Sequence, residues 1–358
     1  MPSLKEIKVR INSISSTLAI TSAMKMVAAA KLQKAQMAIQ NMLPYERRLY
    51  SMLVDLMGAM NISAAASEDG SVRGSGSTER GFDQSGDRLS LSNRHDLAGM
   101  DGAYSLMAQR EVRKVAIVAF ASNSSLCGAF NSNVIREATA VINEYRASGL
   151  RDSDIVVYSV GRKMAEAMRK LGFPSPADFT KMSDSPSYEA ASALAQELLD
   201  GFVSGRFDKV ELVYNHYKST SSQPTIRQTY LPLSLADATA DIQVGKITDS
   251  ASESDTNRGA EPVGAPVVRQ GSPTTEDLIV EPSKEALIAT LLPKVIRLRI
   301  FTTLLDSAAA EHAARTVAMQ LATDNGNDLL QELTLEYNKG RQQKITSEIL
   351  DLVGGSMQ

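Results

Sequence analysis

The sequence predicts an α/β protein: two long terminal helices forming an antiparallel coiled coil, plus a Rossmann-like α/β domain between them. Three observations carry that prediction. Leu4, Ile7, Ile11, Ile14, Leu18 and Thr21 recur at spacings of 3, 4, 3, 4 and 3, the heptad seam of a coiled coil. A second long helical pattern runs from Lys284 to Val353. Between the two, apolar runs and amphipathic stretches alternate in strand–helix order, the pattern of a mostly parallel sheet covered by helices.

Taken in order, residues 1–60 form the N-terminal coiled-coil helix, interrupted only by Pro2 and Pro44. The block carries eight basic side chains against three acidic ones, in a chain whose net charge is −3. A solvated helix face or an acidic partner would each account for that local surplus. Residues 61–110 include "ASEDGSVRGSGSTERGFDQSGDR", too polar to offset its own ordering entropy, and read as a flexible insertion.

Residues 111–245 hold the α/β domain. "VRKVAIVAF" (112–120) is a buried strand, and "NSNVIREATAVINEYRASG" (131–149) an amphipathic helix closed by Gly149. "DIVVYSVG" (154–161) is a second strand, followed by helices in "RKMAEAMRKLG" and "SYEAASALAQELLDGFVSG". "DKVELVYNHYKS" (208–219) and "IRQTYLPLS" (226–234) are strands joined as a hairpin. Residues 246–283 form a second flexible linker.

Residues 284–358 are the C-terminal coiled-coil helix, with Pro293 in its first turns. Some 70 helical residues span roughly 105 Å, wider than a small domain, so the terminal helices make a stalk with the domain at one end. Leu330, Leu333 and Tyr337 lie on one apolar stripe of this helix and Ile345, Ile349 and Leu352 on another. Both stripes are expected in the seam. Between them Asn338 to Gln343 is polar except for Gly340.

Composition narrows the function. A net charge of −3 gives no footprint for nucleic acid. With Cys127 the only cysteine, an intramolecular disulfide is impossible. No apolar run reaches the length of a membrane span, and "MPSLKEIKVRIN" lacks the apolar core of a secretory signal. A cytosolic, reduced protein is expected.

The motifs of catalysis are missing from the sequence. It has no G-x-x-x-x-G-K-[ST] loop and no G-x-G-x-x-G after the first strand, where "SNSSLCGAFNSN" offers only Gly128. His95, His216 and His312 are far apart, and one cysteine makes no metal cluster. Glu311 and His312 are adjacent on a helix and do not face one another. Asn123, Ser124 and Ser125 read as turn chemistry. No catalytic residue, metal or cofactor is expected. The competing reading is a nucleotide-binding α/β enzyme with coiled-coil extensions, which rests on fold analogy alone.

Two long motifs carry a resemblance. "AEHAARTVAMQLATDNGNDLLQELTLEYNKGRQQKITSEILDLVGG" resembles the last helix of the gamma subunits of F-type ATP synthases. "IKVRINSISSTLAITSAMKMVAAAKLQKAQ" resembles their first helix, and "LCGAFNSN" their loop after the first strand. The resemblance implies a non-catalytic central rotor shaft inside a hexamer of alpha and beta subunits. Its α/β domain would sit with the epsilon subunit on the membrane c ring. Proton flow would turn the ring, and the shaft would drive the beta catalytic sites through their states.

It further implies beta-subunit contacts at Arg341, Gln342 and Thr346, and at Met24 and Lys25 beside an acidic lever of beta. The basic first helix thereby gains an acidic partner. Small Ala28, Ala29 and Ala30 would let helices approach closely or pass a ring of side chains with little obstruction. Where the family commonly has Asp-Arg-Gly, this chain has Asn123, Ser124 and Ser125. The cysteine pair of chloroplast relatives is missing, so thiol regulation is not implied. With no transit peptide apparent, the implied home is the cytoplasmic face of a bacterial inner membrane, held peripherally through the c ring.

Overall fold

The computed structural model describes residues 3–68, 106, 110–233, 281 and 283–355. Helix α1 (Leu4–Glu68) has 65 residues and the last helix, α6 (Lys284–Gly355), has 72. At 1.5 Å per residue they are about 100 and 110 Å long. Between them come β1 (Val115–Phe120), α2 (Phe130–Ala147), β2 (Ile155–Val160), α3 (Arg162–Lys170) and α4 (Thr180–Asp184), then α5 (Tyr188–Val203), β3 (Lys209–Asn215) and β4 (Thr225–Leu231).

The helix pair is antiparallel. Leu4 lies against Gly340 and Leu18 against Gly326. The Thr323 hydroxyl bonds that of Thr21 at 3.1 Å, and Leu32 packs with Ala309 and Ala313. Nearer the sheet domain, Thr302 donates to Glu46 (3.1 Å) and Arg299 to the Tyr50 hydroxyl (2.8 Å). Positions rise on one helix as they fall on the other.

On α1 the expected seam residues Leu4, Ile7, Ile11, Ile14, Leu18 and Thr21 are buried or half-buried, while Lys5, Glu6, Lys8, Val9 and Arg10 are exposed. On α6 the covered positions Met319, Thr323, Gly326, Leu330, Leu333, Tyr337 and Gly340 alternate by four and three. This is the knobs-into-holes spacing, and it includes the stripe through Leu330, Leu333 and Tyr337.

The second stripe departs from expectation. Ile345, Ile349 and Leu352 are 47%, 55% and 75% exposed and are not seam residues within this chain. Helix α1 begins at Leu4, fixed by a capping box in which Ser3 and Glu6 exchange side-chain bonds of 3.0 and 3.3 Å. Leu4 faces Gly340, so past Gly340 no described helix of this chain runs beside α6.

The sheet has the order β2-β1-β3-β4; β1 is parallel to β2 and β3, and β4 antiparallel to β3. Alternation along β1 splits the core. Ile117 and Ala119 face α2 and α3, meeting Val134, Ala138, Met164 and Met168. Val118 and Phe120 face α5, α6 and the end of α1, meeting Leu198, Phe202, Ile300, Leu304 and Leu53. Pro44 and Pro293 lie inside continuous helices. The residues beyond each, such as Tyr50 and Leu53 on α1 and Val295 and Ile296 on α6, are anchored in this core and hold the helix direction.

The expected boundary near residue 60 shifts. Helix α1 continues to Glu68, and Leu106 is a core residue whose carbonyl accepts from the Leu233 amide at 3.0 Å. The rest of the expected insertion, 69–105 and 107–109, lies outside the described residues, as do 246–280 and 282 of the expected linker. Among the described residues no helix is long and apolar enough to cross a membrane.

Candidate functional site

Two regions bear on function: the junction where α6 crosses the sheet domain, and the exposed end of the helix pair. In an open parallel sheet, ligands bind at the carboxyl ends of the strands where strand order reverses. Here that point lies between β1 and β3. The chain itself fills it. Helix α6 packs Ala310 on Cys127 and Phe130 of the loop and helix after β1. Asp306 of α6 takes the end of β3: it is 2.6 Å from His216 Nδ1 and accepts the Tyr217 amide at 2.9 Å. The neighbouring hollow, between Phe120, Ser183, Leu304 and Glu311, measures about 10 Å³, too small for a nucleotide. Among the described residues, α6 thus occupies the place where such a sheet would bind a nucleotide.

The turn after β1 is built by the polar residues expected to shape it. Asn123 donates to the Thr180 carbonyl (2.7 Å) and accepts the Arg162 amide (2.8 Å), and Arg162 returns two guanidinium bonds to the Asn123 carbonyl (3.1 and 2.7 Å). Asn131 accepts from the Ser122 amide at 3.0 Å. Gly161, at φ +95, lets the ends of β1 and β2 close up; a Cβ there would stand 2.0 Å from the Ala121 carbonyl oxygen. Arg315 of α6 completes the turn, donating to the Ser125 carbonyl (2.6 Å) and the Ser124 hydroxyl (2.9 Å).

Glu311 pairs with Arg315 one turn along, not with His312. Both members of that pair are buried. Burial raises the Glu311 pKa, and Arg315 opposes the rise. His312 keeps a buried Nδ1 without a hydrogen-bond partner. Burial, with Lys31 and Arg315 nearby, pushes its pKa down to about 4, so it is neutral at pH 7.

The far end of the pair is a single helix. Residues 341–350 are exposed throughout, including Arg341, Gln342 and Thr346. Thr346 turns its hydroxyl back to the Gln342 carbonyl (2.9 Å), and Lys344 and Glu348 form an exposed pair at 3.8 Å, worth a few tenths of a kcal/mol. Met24 and Lys25 are half-buried on α1, outside this end; the structure does not bring them together with Arg341, Gln342 and Thr346. Sequence reasoning missed Asp306, Arg315 and Tyr217. The Glu311–Arg315 spacing of four was the one available signal for the pair.

The ATP synthase family model matches residues 3–357. Among relatives, the chain is 46% identical over 357 residues to the ATP synthase gamma chain of Phocaeicola vulgatus, covering 100% of both chains. It is 45% identical over 358 residues to that of Bacteroides thetaiotaomicron, again covering 100% of both. To that of Flavobacterium johnsoniae it is 36% identical over 356 residues, covering 99% of this chain and 98% of the other. In fold it is similar to a chain of the Euglena gracilis mitochondrial ATP synthase rotor in rotational state 1, with a TM-score of 0.51 and 18% identity over 96% of this chain and 98% of that one. With a family match along its whole length and relatives of the same length and design, this chain belongs to the ATP synthase gamma chain family.

Proposed function

We propose that this chain is the central rotor shaft of a proton-translocating F-type ATP synthase. It couples rotation of the membrane c ring to conformational change at the catalytic beta subunits and carries no catalytic site of its own. The observation that carries this reading is the helix pair itself: an antiparallel shaft with its seam closed from Leu4–Gly340 down to the sheet domain, and a solvent-facing tip beyond. The filled crevice between β1 and β3 supports a role without nucleotide chemistry.

The tip and the exposed faces of the shaft meet the alpha–beta hexamer. Arg341, Gln342 and Thr346 touch a loop of beta, and Met24 and Lys25 face its acidic lever. The exposure of the first three and the partial exposure of the other two support this assignment. A polar band is suited to a surface that must release its partner at each step, because polar rim contacts set register and steering more than affinity. The sheet domain sits with epsilon on the c ring, at the cytoplasmic face of a bacterial inner membrane. Co-expression with alpha and beta subunits tests the reading: the chain co-purifies with them, and its omission abolishes coupled ATP synthesis. A chain that never associates with them refutes it.

A further inference from the structure

We propose that Asp306 and Arg315 of α6 form a two-point latch that fixes the angle of the sheet domain on the shaft, so that torque entering the sheet domain reaches the helix pair. The proposal rests on the rotor-shaft reading above. The surface between the two grips is smooth: Ala309, Ala310 and Ala313 are fully buried and bring α6 close to its neighbours. Alanines interdigitate little, so along residues 306–315, past the larger core side chains such as Ile300 and Leu304, apolar packing keys the helix only weakly against twisting. The polar grips supply the key.

Their placement matters. At 100° and 1.5 Å per residue, positions 306 and 315 lie on opposite sides of the helix and about 13 Å apart along it. Asp306 holds the end of β3 through His216 and the Tyr217 amide. Arg315 holds the turn after β1 through Ser124 and Ser125. Twisting α6 about its axis carries both side chains away from their partners, whichever way it turns. Glu311 is a positioning residue: it pairs with Arg315 in a buried site and aims the guanidinium at the turn. Tyr217 adds a third tie, its hydroxyl accepting from Gln36 of α1 at 2.6 Å, so the β3–β4 loop holds both helices.

The test measures ATP-driven proton pumping and ATP hydrolysis on the same vesicles carrying the whole complex. Arg315→Gln lowers pumping per ATP hydrolysed, on the order of fivefold. Ser124→Ala with His216→Ala removes partners on the sheet domain, leaves the buried Glu311–Arg315 pair intact, and lowers the ratio in the same direction. A cross-link then restores it. A Cβ at Gly128 stands 3.8 Å from the Ala318 Cβ, the usual separation across a disulfide. Gly128 sits at φ +58, where a side chain strains the backbone, so the reduced double-cysteine complex is the baseline for the oxidised one.

In a Cys127→Ser background, Gly128→Cys with Ala318→Cys is oxidised to join the turn to the shaft. Oxidation returns the pumping ratio of both sets of variants to that of the unsubstituted complex, and reduction removes the recovery. A ratio unchanged in both sets overturns the latch, and so does a loss that the cross-link leaves in place. The unsubstituted complex, assayed alongside, tests the shaft reading by itself: if it hydrolyses ATP and pumps nothing, that reading fails whatever the variants do.

Discussion

Replacing Gly326 with alanine sets two effects against each other. Glycine in a helix interior is less stable than alanine by about 1 kcal/mol, so the substitution taken alone stabilises α6. The new methyl, however, would stand 2.7 Å from Leu18 Cδ2 and 3.2 Å from its Cγ. Because Cγ is also crowded, turning the terminal methyls is not enough and the whole side chain must move. Overpacking of this kind costs about 1–3 kcal/mol. The net effect of Gly326→Ala is a loss of about 0–2 kcal/mol. In a Leu18→Ala background the obstacle is gone, and the same substitution stabilises by about 1 kcal/mol. Urea unfolding of the four chains, followed by helix signal, yields the cycle, with equal slopes required for the comparison. An increase in stability equal in the two backgrounds, within about 0.3 kcal/mol, refutes the knob-into-glycine contact. Gly340→Ala is the control: Leu4 Cδ2 at 3.1 Å and Cγ at 3.9 Å leave only a methyl to give way, so that change is neutral or stabilising.

Three further outcomes are expected. Arg341→Ala with Gln342→Ala leaves the melting of the isolated chain within about 0.5 kcal/mol of the original, because both side chains are exposed, and lowers coupled ATP synthesis in the complex; unfolding without loss of coupling would refute the contact assignment. Leu304→Ala, at a core site between α6 and the sheet, costs about 2–5 kcal/mol in urea unfolding. The two described histidines act on opposite limbs of the stability–pH curve. Asp306 raises the His216 pKa, so this contribution is fully present below about pH 6.5 and fades as pH rises through the raised value. His312 is depressed to about 4, so stability is lost as pH falls from about 6.5 towards 4. His216→Gln flattens the upper limb of unfolding midpoint against pH, and His312→Gln the acid limb.

The α/β domain and both helices were legible because each rests on local periodicity. The seam at Leu4 to Thr21 needed only spacing, and the strands at 115–120 and 155–160 only short, mostly apolar runs. The junction was not legible, because it joins residues about 90 and 190 positions apart, as with His216–Asp306 and Ser124–Arg315. Such pairs leave no periodic trace in one sequence. Leu106 was lost inside a polar segment because one core leucine cannot outweigh its neighbours' composition. The seam stripe at Ile345, Ile349 and Leu352 was misjudged for a different reason. Its spacing of four and three is that of a seam, and spacing cannot say whether the partner belongs to the same chain.

That stripe sits on about 22 Å of unaccompanied helix beyond Gly340, using 1.5 Å per residue. A lone helix of this length is marginal in water, and here it carries apolar side chains about half exposed. Under the shaft reading the alpha–beta hexamer is the partner placed to cover it. Full burial of an isoleucine side chain is worth roughly 1.5–3 kcal/mol, so covering the remaining half of Ile345 and Ile349 adds about 1 kcal/mol each to assembly. Ile345→Ser with Ile349→Ser therefore leaves unfolding of the isolated chain almost unchanged and lowers the temperature at which it leaves the hexamer. If the isolated chain were strongly destabilised while the complex dissociated as before, the stripe would be packing within the chain and the hexamer would not be its cover.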